Sequence, residues 1–168
     1  MDYTRAITTQ PDLAEAYYNR GRVRYDQGAI DQALADFTQT LALNPAFADA
    51  YTWRGYAYHK RGDLDRAITD YSRAIALKPM SIDAYLGRGL AYYAQNDLAR
   101  ADMDFTQALA LRSDDAAALC SRGLVRRDRG QRAAALADFR ACLEHARDPT
   151  LLHGAAQQVQ ALTTPEAR

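Results

Sequence analysis

Apolar and small residues recur along the chain with a period of 34 residues. The pattern is clearest when position one is set at Ala14, Ala48, Ile82 and Ala116. Position eight is then always glycine, position twenty always alanine, and position twenty-four always a large aromatic: Gly21, Gly55, Gly89 and Gly123, then Ala33, Ala67, Ala101 and Ala135, then Phe37, Tyr71, Phe105 and Phe139. Four units keep this register without an insertion, which predicts a repeat protein.

Each unit also carries signals that end and begin helices. Position fifteen is a residue type that tolerates the left-handed conformation after a helix: Gly28, Gly62, Asn96 and Gly130. Asp63 and Asp97 follow directly and are suited to cap the next helix. Pro45 and Pro79 stop the second helix of the first two units. A unit is therefore predicted to be two helices of about 14 residues, too short to be stable without stacking.

The repeated pattern resembles the tetratricopeptide repeat (TPR). The second unit matches the family pattern, with Arg54 in place of a leucine, through Tyr51, Gly55, Tyr58, Ala67, Tyr71, Ala74 and Pro79. The resemblance covers about four-fifths of the chain and is weakest in the last unit, where Arg126, Arg132 and Arg147 replace expected residues. It implies an all-α fold, a right-handed superhelical α-solenoid of helix pairs.

The repeat frame predicts the organisation of the whole chain. Residues 1–13 match the second helix of a partial leading repeat. Four repeats follow, at 14–47, 48–81, 82–115 and 116–149. The chain ends in a covering helix and tail at 150–168. The covering helix is predicted from one apolar stripe, namely Leu152, Ala155, Ala156, Val159 and Leu162, and the tail from Thr163 is expected to fray. A leading second helix without its first suggests a fragment of a longer array, or a homo-oligomer formed through that helix.

One face of each first helix is free of the repeated packing residues. At roughly 100° per residue, positions two, five, nine, twelve and thirteen share this face, and position six borders it. The resemblance implies that the face lines a concave groove. Its residues change from unit to unit, as a surface for a non-repeating ligand should. The candidate peptide-binding residues are Tyr18, Arg22, Tyr25, Thr52, Trp53, Tyr56, His59, Lys60, Leu86, Leu90, Tyr93, Cys120, Leu124 and Arg127.

The candidate face is unusually apolar and aromatic for a surface, which is typical of an interaction site. An extended peptide or an amphipathic helix with apolar anchors suits it best. The alternative is that the tyrosines only pack on neighbouring helices. Some family members hold a C-terminal carboxylate with a lysine and asparagine clamp. Because position five lacks lysine here, and Asn19 and Arg22 match only in part, such a clamp is not expected.

Charge and composition narrow the partner class. The chain has 21 Lys and Arg against 21 Asp and Glu, so it lacks the basic excess of a nucleic-acid-binding protein. No apolar run approaches the roughly 20 residues that cross a bilayer, so membrane insertion is not expected. Cys120 and Cys142 make no disulfide framework and fit a reduced compartment. We therefore expect a cytoplasmic protein with a protein or peptide partner, unless the chain is a fragment of a longer, targeted protein.

Residues with other chemistry favour structural roles. Arg20, Arg54, Arg88 and Arg122 recur at position seven and Asp36, Asp70, Asp104 and Asp138 at position twenty-three, so ion pairs are predicted rather than an anion-binding ladder. Cys142, His145 and His153 are too few for structural zinc. Neither a phosphate-binding loop nor a catalytic trio around His59 is present.

No cofactor, metal or enzyme activity is therefore expected. The first interpretation is an adaptor or scaffold. Two alternatives stay open: a recruiting segment of a larger enzyme or secretion machine, and a module that self-assembles through its N-terminal helix. The sequence names neither the partner nor the pathway.

Overall fold

The computed structural model describes residues 3–164, and within this range the chain forms α-helices joined by short turns. The helices are α1 (Tyr3–Thr9), α2 (Ala14–Asp26), α3 (Ile30–Leu43), α4 (Ala48–Lys60), α5 (Leu64–Leu77), α6 (Ile82–Ala94), α7 (Leu98–Leu111), α8 (Ala116–Asp128), α9 (Arg132–His145) and α10 (Pro149–Thr163). Consecutive helices pack as pairs, α2 with α3, α4 with α5 and α8 with α9. This confirms the predicted all-α fold of stacked helix pairs.

The chain divides into two compact units, and each is described by itself. The first unit ends at Gly87 and the second begins at Arg88, so the division falls inside α6. Residues 1, 2 and 165–168, into which the predicted leading repeat and tail extend, lie outside the described residues.

The predicted helix-ending residues adopt the conformation that their position requires. Gly28, Gly62 and Gly130 have φ of +80°, +85° and +72°, and Asn96 has φ of +60°. This left-handed region is one that glycine and asparagine enter at low cost. The predicted caps are also confirmed, because the carboxylates of Asp63 and Asp97 accept hydrogen bonds from backbone N–H groups in the first turn of α5 and α7.

The core of each repeat forms where an aromatic ring of its second helix packs against a glycine of its first helix. A Cβ atom added to Gly55 would lie 2.7 Å from Cε1 of Tyr71, which is closer than real Cβ contacts come. Gly21 meets Phe37 with the same 2.7 Å spacing. Both rings have no exposed surface. Glycine at position eight is therefore required for the aromatic residue at position twenty-four to be buried.

The predicted ion pairs between first and second helices are confirmed. The four position-seven arginines each donate two hydrogen bonds to the position-twenty-three aspartate of the same repeat, at 2.7–3.0 Å. In the first and last repeats a second arginine joins the same carboxylate: Arg24 bonds Asp36 at 2.7 Å and Arg126 bonds Asp138 at 2.9 Å. Arg24 and Arg126 occupy position eleven, where the other two repeats carry tyrosine, and they give each of these buried carboxylates a second cationic partner.

The terminal helices are packed less tightly than the helices of the repeats. None of the residues of α1 is buried. In α10, which packs against α9 and α8, Ala155 is buried and Leu152 and Leu162 are half-buried. Ala156 is exposed, so its assignment to the apolar stripe is wrong. Thr163, which was expected to fray, is the last residue of α10.

The two cysteines are joined by a disulfide, and the prediction that they stay reduced is wrong. Cys120 on α8 and Cys142 on α9 occupy positions five and twenty-seven of the fourth repeat, and their Cα atoms are 5.5 Å apart. Although 22 residues separate them in sequence, the helix pair brings them face to face. The disulfide also removes the argument for a reduced compartment.

Candidate peptide-binding surface

Half-buried aromatic rings of α2 and α4 form one surface of the first unit, which we call the aromatic face: Tyr18, Tyr25, Trp53 and Tyr56. The centroids of Tyr25 and Trp53 are 5.5 Å apart and those of Trp53 and Tyr56 are 5.7 Å apart, both in edge-to-face geometry. Tyr56 makes the same kind of contact with the buried ring of Tyr71 at 5.5 Å. Because such contacts favour one relative orientation, the rings hold each other in place.

The aromatic face also packs on the interior of the unit. Tyr18 lies 6.2 Å from Phe37 and 4.7 Å from Phe47, measured between ring centroids. The alternative that these tyrosines pack on neighbouring helices is therefore correct in part. Since Tyr18, Tyr25, Trp53 and Tyr56 each keep part of their surface in solvent, they are both packed and accessible.

Two exposed cations lie on the rings of the aromatic face. The Arg22 guanidinium is 4.9 Å from the Trp53 centroid and 5.7 Å from that of Tyr18. The Lys60 Nζ is 4.9 Å from the Tyr25 centroid. Neither cation forms an ion pair with a carboxylate in residues 3–164, in contrast to Arg20 and Arg54 at position seven. Contact with aromatic rings, and not with a carboxylate, therefore orients both groups.

Acidic groups lie at the start of the first helices. Asp49 forms an ion pair with Lys78 at 3.1 Å, and the Tyr56 hydroxyl donates a hydrogen bond to the backbone carbonyl of Asp83 at 3.1 Å. Arg22, His59 and Lys60 occupy positions nine, twelve and thirteen, at the other end of these helices. Burial lowers the pKa of His59 below its ordinary value, so this ring is neutral at neutral pH.

Two residues of the predicted surface are buried. Thr52 is 4% exposed and Cys120 is 7% exposed, so neither is placed to contact a ligand. The Thr52 hydroxyl donates to the carbonyl of Ala48, and Cys120 is in the disulfide. At these two repeats position five is buried in the interior, so the structure removes both residues from the candidate surface. Leu86 is half-buried.

The predicted residues of the second unit are mostly engaged inside that unit. The Tyr93 hydroxyl donates to the carboxylate of Asp128 at 2.6 Å. Arg127 pairs with the same carboxylate at 2.7 Å and donates to the side chain of Gln158 on α10 at 2.8 Å. Leu124 borders a cavity beneath α10. Leu90, at 38% exposed, is the predicted residue of this unit with the most open surface.

Sequence reasoning missed Phe47, whose ring supports Tyr18. Phe47 precedes α4 at position thirty-four, where the other units carry Ser81, Asp115 and Pro149. A single aromatic in a column of turn-forming residues was the available signal. The contact between Phe47 and Tyr18 shows that the turn before α4 supports the aromatic face.

Within residues 3–164, no helix is long and apolar enough to span a membrane. The same residues contain no group of three or more His, Cys, Asp or Glu side chains placed to hold a metal ion.

Stacked helix pairs of constant length, with an exposed aromatic face, define a helical-repeat protein of the kind that serves as a protein-interaction adaptor. Family patterns identify the repeat: "TPR repeat" matches residues 21–62 and 55–96, and "Tetratricopeptide repeat" matches residues 82–115. The chain therefore belongs to the tetratricopeptide repeat family. Proteins with this repeat are generally non-enzymatic scaffolds.

Solved structures with the same fold include MamA, at 26% identity and a TM-score of 0.79, covering 85% of this chain and 84% of MamA. The first TPR of Spaghetti (RPAP3), bound to the HSP90 peptide SRMEEVD, has 25% identity and a TM-score of 0.69, covering 70% of this chain and 93% of that one. YrrB, described as a TPR protein with an unusual peptide-binding site, has 21% identity and a TM-score of 0.77 over 99% of this chain and 86% of its own. None of the curated proteins compared matches this chain.

Proposed function

We propose that the chain is a non-enzymatic adaptor that binds an extended peptide or an amphipathic helix on the aromatic face of its first unit. The observation that supports this most directly is the environment of Arg22 and Lys60. Both cations lie on aromatic rings beside Trp53 instead of on carboxylates. Arg20 and Arg54, which join the two helices of their repeats, instead bond aspartates.

The aromatic face offers two kinds of contact to a ligand. Tyr25, Trp53 and Tyr56 are large, rigid rings, which bind apolar side chains at low cost in conformational entropy. Arg22 and Lys60 donate hydrogen bonds to carbonyl or carboxylate groups of the same ligand, and their orientation on the rings reduces the entropy lost on binding. The ligand therefore needs an apolar anchor with an acceptor group next to it.

A peptide-bound relative supports the ligand class. The TPR of Spaghetti that resembles this chain is bound to a peptide. The present chain lacks lysine at position five, where Tyr18 and Thr52 stand, so we expect a ligand held by rings and not by a lysine clamp. Tyr93, Leu124 and Arg127 on the second unit are expected to contribute less, because Tyr93 and Arg127 already have partners within that unit and Leu124 borders the cavity beneath α10.

Peptide selection tests the proposal. The chain is used to select binders from a random peptide library, and the dissociation constant of the best binder is measured by calorimetry for the original chain and for Trp53→Ala. We expect Trp53→Ala to weaken binding about thirtyfold or more, because truncating a hot-spot residue costs about 2 kcal/mol or more and tryptophan is a frequent hot spot.

Met103→Ala is the matched control, because Met103 is also a large apolar side chain, 66% exposed on α7, outside the aromatic face. It should leave binding unchanged. Circular dichroism establishes that both variants keep their helicity. If Trp53→Ala bound the selected peptides as tightly as the original chain, the aromatic face would not be the binding surface.

Self-association through α1 is a second candidate. Tyr3 and Ile7 are half-buried, no residue of α1 is buried, and Leu13 after it is 37% exposed. Sedimentation at several concentrations tests this candidate with Ile7→Asp as the variant. A concentration-dependent mass that Ile7→Asp abolishes would support it, and a monomer at all concentrations would reject it.

A further inference from the structure

The disulfide of the fourth repeat is a covalent link that the other repeats lack. Cys120 and Cys142 are the two cysteines of the chain, and they join α8 to α9 at positions five and twenty-seven. The corresponding pair of the first repeat is Tyr18 with Thr40. Because repeats without cysteines here form the same helix pair, the disulfide is not needed to build the fold. It adds a chemical group whose state can change.

The reduced pair would also fit the structure. The Cys142 Sγ lies 3.2 Å from the backbone carbonyl oxygen of Ala116 at the start of α8. At the same position of the first repeat, the Thr40 hydroxyl lies 3.4 Å from the carbonyl oxygen of Ala14 and 2.9 Å from that of Asp36, to which it donates the shorter hydrogen bond. A reduced Cys142 thiol therefore has a hydrogen-bond acceptor within reach, the carbonyl of Ala116, which corresponds to the carbonyl of Ala14 near Thr40. Reduction therefore does not leave the buried Cys142 thiol without an acceptor.

The disulfide is covered by a loosely packed helix. Cys120 lines an apolar cavity of about 130 Å³ together with Leu124 of α8 and Leu151 and Gly154 of α10. Ala155 is the one buried residue of α10, and a Cβ atom at Gly154 would meet nothing within 4 Å. Helices with few buried apolar contacts open locally at low free-energy cost. Opening of α10 would expose the Cys120 sulfur before that of Cys142, which is fully buried.

We propose that Cys120–Cys142 is a reversible redox site, reduced by small or protein dithiols, that sets how firmly α10 covers the fourth repeat. A thiolate of the dithiol attacks the Cys120 Sγ, the Cys120–Cys142 bond breaks, and Cys142 leaves as a thiolate that takes up a proton. The second thiol of the reagent then resolves the mixed disulfide. Cys120 and Cys142 gain two electrons and two protons in total, and the dithiol becomes a disulfide.

The redox state matters for the surface of the second unit. When the disulfide is present, α8 and α9 are held together beneath α10. When it is absent, local opening of this end of the unit becomes easier, because a covalent restraint has been removed. Opening of α10 uncovers Leu124 and breaks the contact between Arg127 and Gln158. Reduction therefore makes Leu124 and Arg127 available to other molecules.

Hydrogen exchange followed by mass spectrometry tests the proposal on the full chain. The protein is prepared oxidised by glutathione disulfide and reduced by dithiothreitol, and intact mass verifies the loss or gain of two hydrogens. We expect amides of α10 to exchange about tenfold or more faster in the reduced form. Amides of α3 in the first unit should exchange alike in both forms. Equal exchange of α10 in the two forms, or failure of the disulfide to form, would overturn the proposal.

Two variants keep the test sharp. Cys142→Thr reproduces the residue of the first repeat and cannot form the disulfide, so its α10 should exchange like the reduced protein with or without reductant. Gly154→Ala narrows the cavity over Cys120, so reduction of the native protein by dithiothreitol should become slower. Protection of α10 in Cys142→Thr equal to that of the oxidised protein would count against the proposed role of the disulfide, whatever the reduction rate.

Discussion

The hydroxyl of Tyr71 gives the sharpest energetic prediction. Tyr71 occupies position twenty-four, where the other repeats carry Phe37, Phe105 and Phe139. Its side chain has no exposed surface, and its hydroxyl has no hydrogen-bond partner within residues 3–164. A buried hydroxyl without a partner costs about 1–3 kcal/mol. Tyr71→Phe removes this cost and creates a void of one oxygen atom, worth about 0.5 kcal/mol. We expect the variant to be more stable by about 0.5–2.5 kcal/mol.

Urea unfolding followed by circular dichroism measures the effect, with native-state hydrogen exchange of α5 as a local readout. Exchange is needed because repeat proteins do not always unfold in a single step. Tyr56→Phe is the matched control: it is the same substitution on a ring 5.5 Å away, but its hydroxyl donates to the carbonyl of Asp83. We expect this control to lose about 0.5–1.5 kcal/mol. A Tyr71→Phe variant less stable than the original chain would refute the reasoning, because the hydroxyl would then have a partner such as bound water.

The same hydroxyl should control stability at alkaline pH. Burial raises the pKa of Tyr71 and that of Tyr56 above the value of about 10 for an exposed tyrosine. Above pH 10 the unfolded chain loses these phenol protons while the folded chain keeps them, so the unfolded state binds fewer protons and stability falls as pH rises. Below pH 10 the contribution is complete. Tyr71→Phe should therefore flatten the alkaline loss of stability in a pH series of unfolding curves, and an unchanged slope would show that Tyr71 titrates normally in the fold.

Three further predictions concern packing and the ion pairs. Gly55→Ala should destabilise the chain by about 1–3 kcal/mol in urea unfolding, because the added Cβ would overlap the ring of Tyr71; a stable variant would mean that the ring can move. Gly154→Ala should instead stabilise it by about 0.5–1 kcal/mol, since the site is open and alanine favours helix; a loss of stability would contradict the described cavity. Asp70→Asn should cost about 2–3 kcal/mol, because it leaves the mostly buried Arg54 without its charged partner, and a loss below about 0.5 kcal/mol would show that Arg54 reaches solvent.

The packing of the repeats could be predicted from the sequence because both residues of each contact recur at fixed positions of the repeat. A glycine at position eight is informative only beside an aromatic at position twenty-four, and Gly55 with Tyr71 shows both. The same holds for Arg54 and Asp70, whose charges match column by column. Each pair is fixed by contact inside one helix pair. Repetition then makes the contact visible as a pattern of period 34.

The disulfide could not be predicted in this way, because Cys120 and Cys142 occur once and no column repeats them. The frame does place position five opposite position twenty-seven, but this relation becomes apparent only when the helices are packed. Likewise, the contact of Arg22 with the ring of Trp53 depends on the spacing between α2 and α4. The angular position of a residue around its own helix gives no information about the distance to another helix.

Position five shows why an angular assignment alone misplaces residues on a candidate surface. On the helix it shares a face with position nine, yet Thr52 and Cys120 are buried at this position and Tyr18 packs on Phe47. The segment that follows each helix pair determines the outcome: Phe47 before α4 covers Tyr18, and α10 lies over Cys120. Arg22, at position nine, stays exposed. The surface available to a ligand is thus the part of the face that the next segment leaves uncovered, and in the first unit that part carries Arg22 on the ring of Trp53.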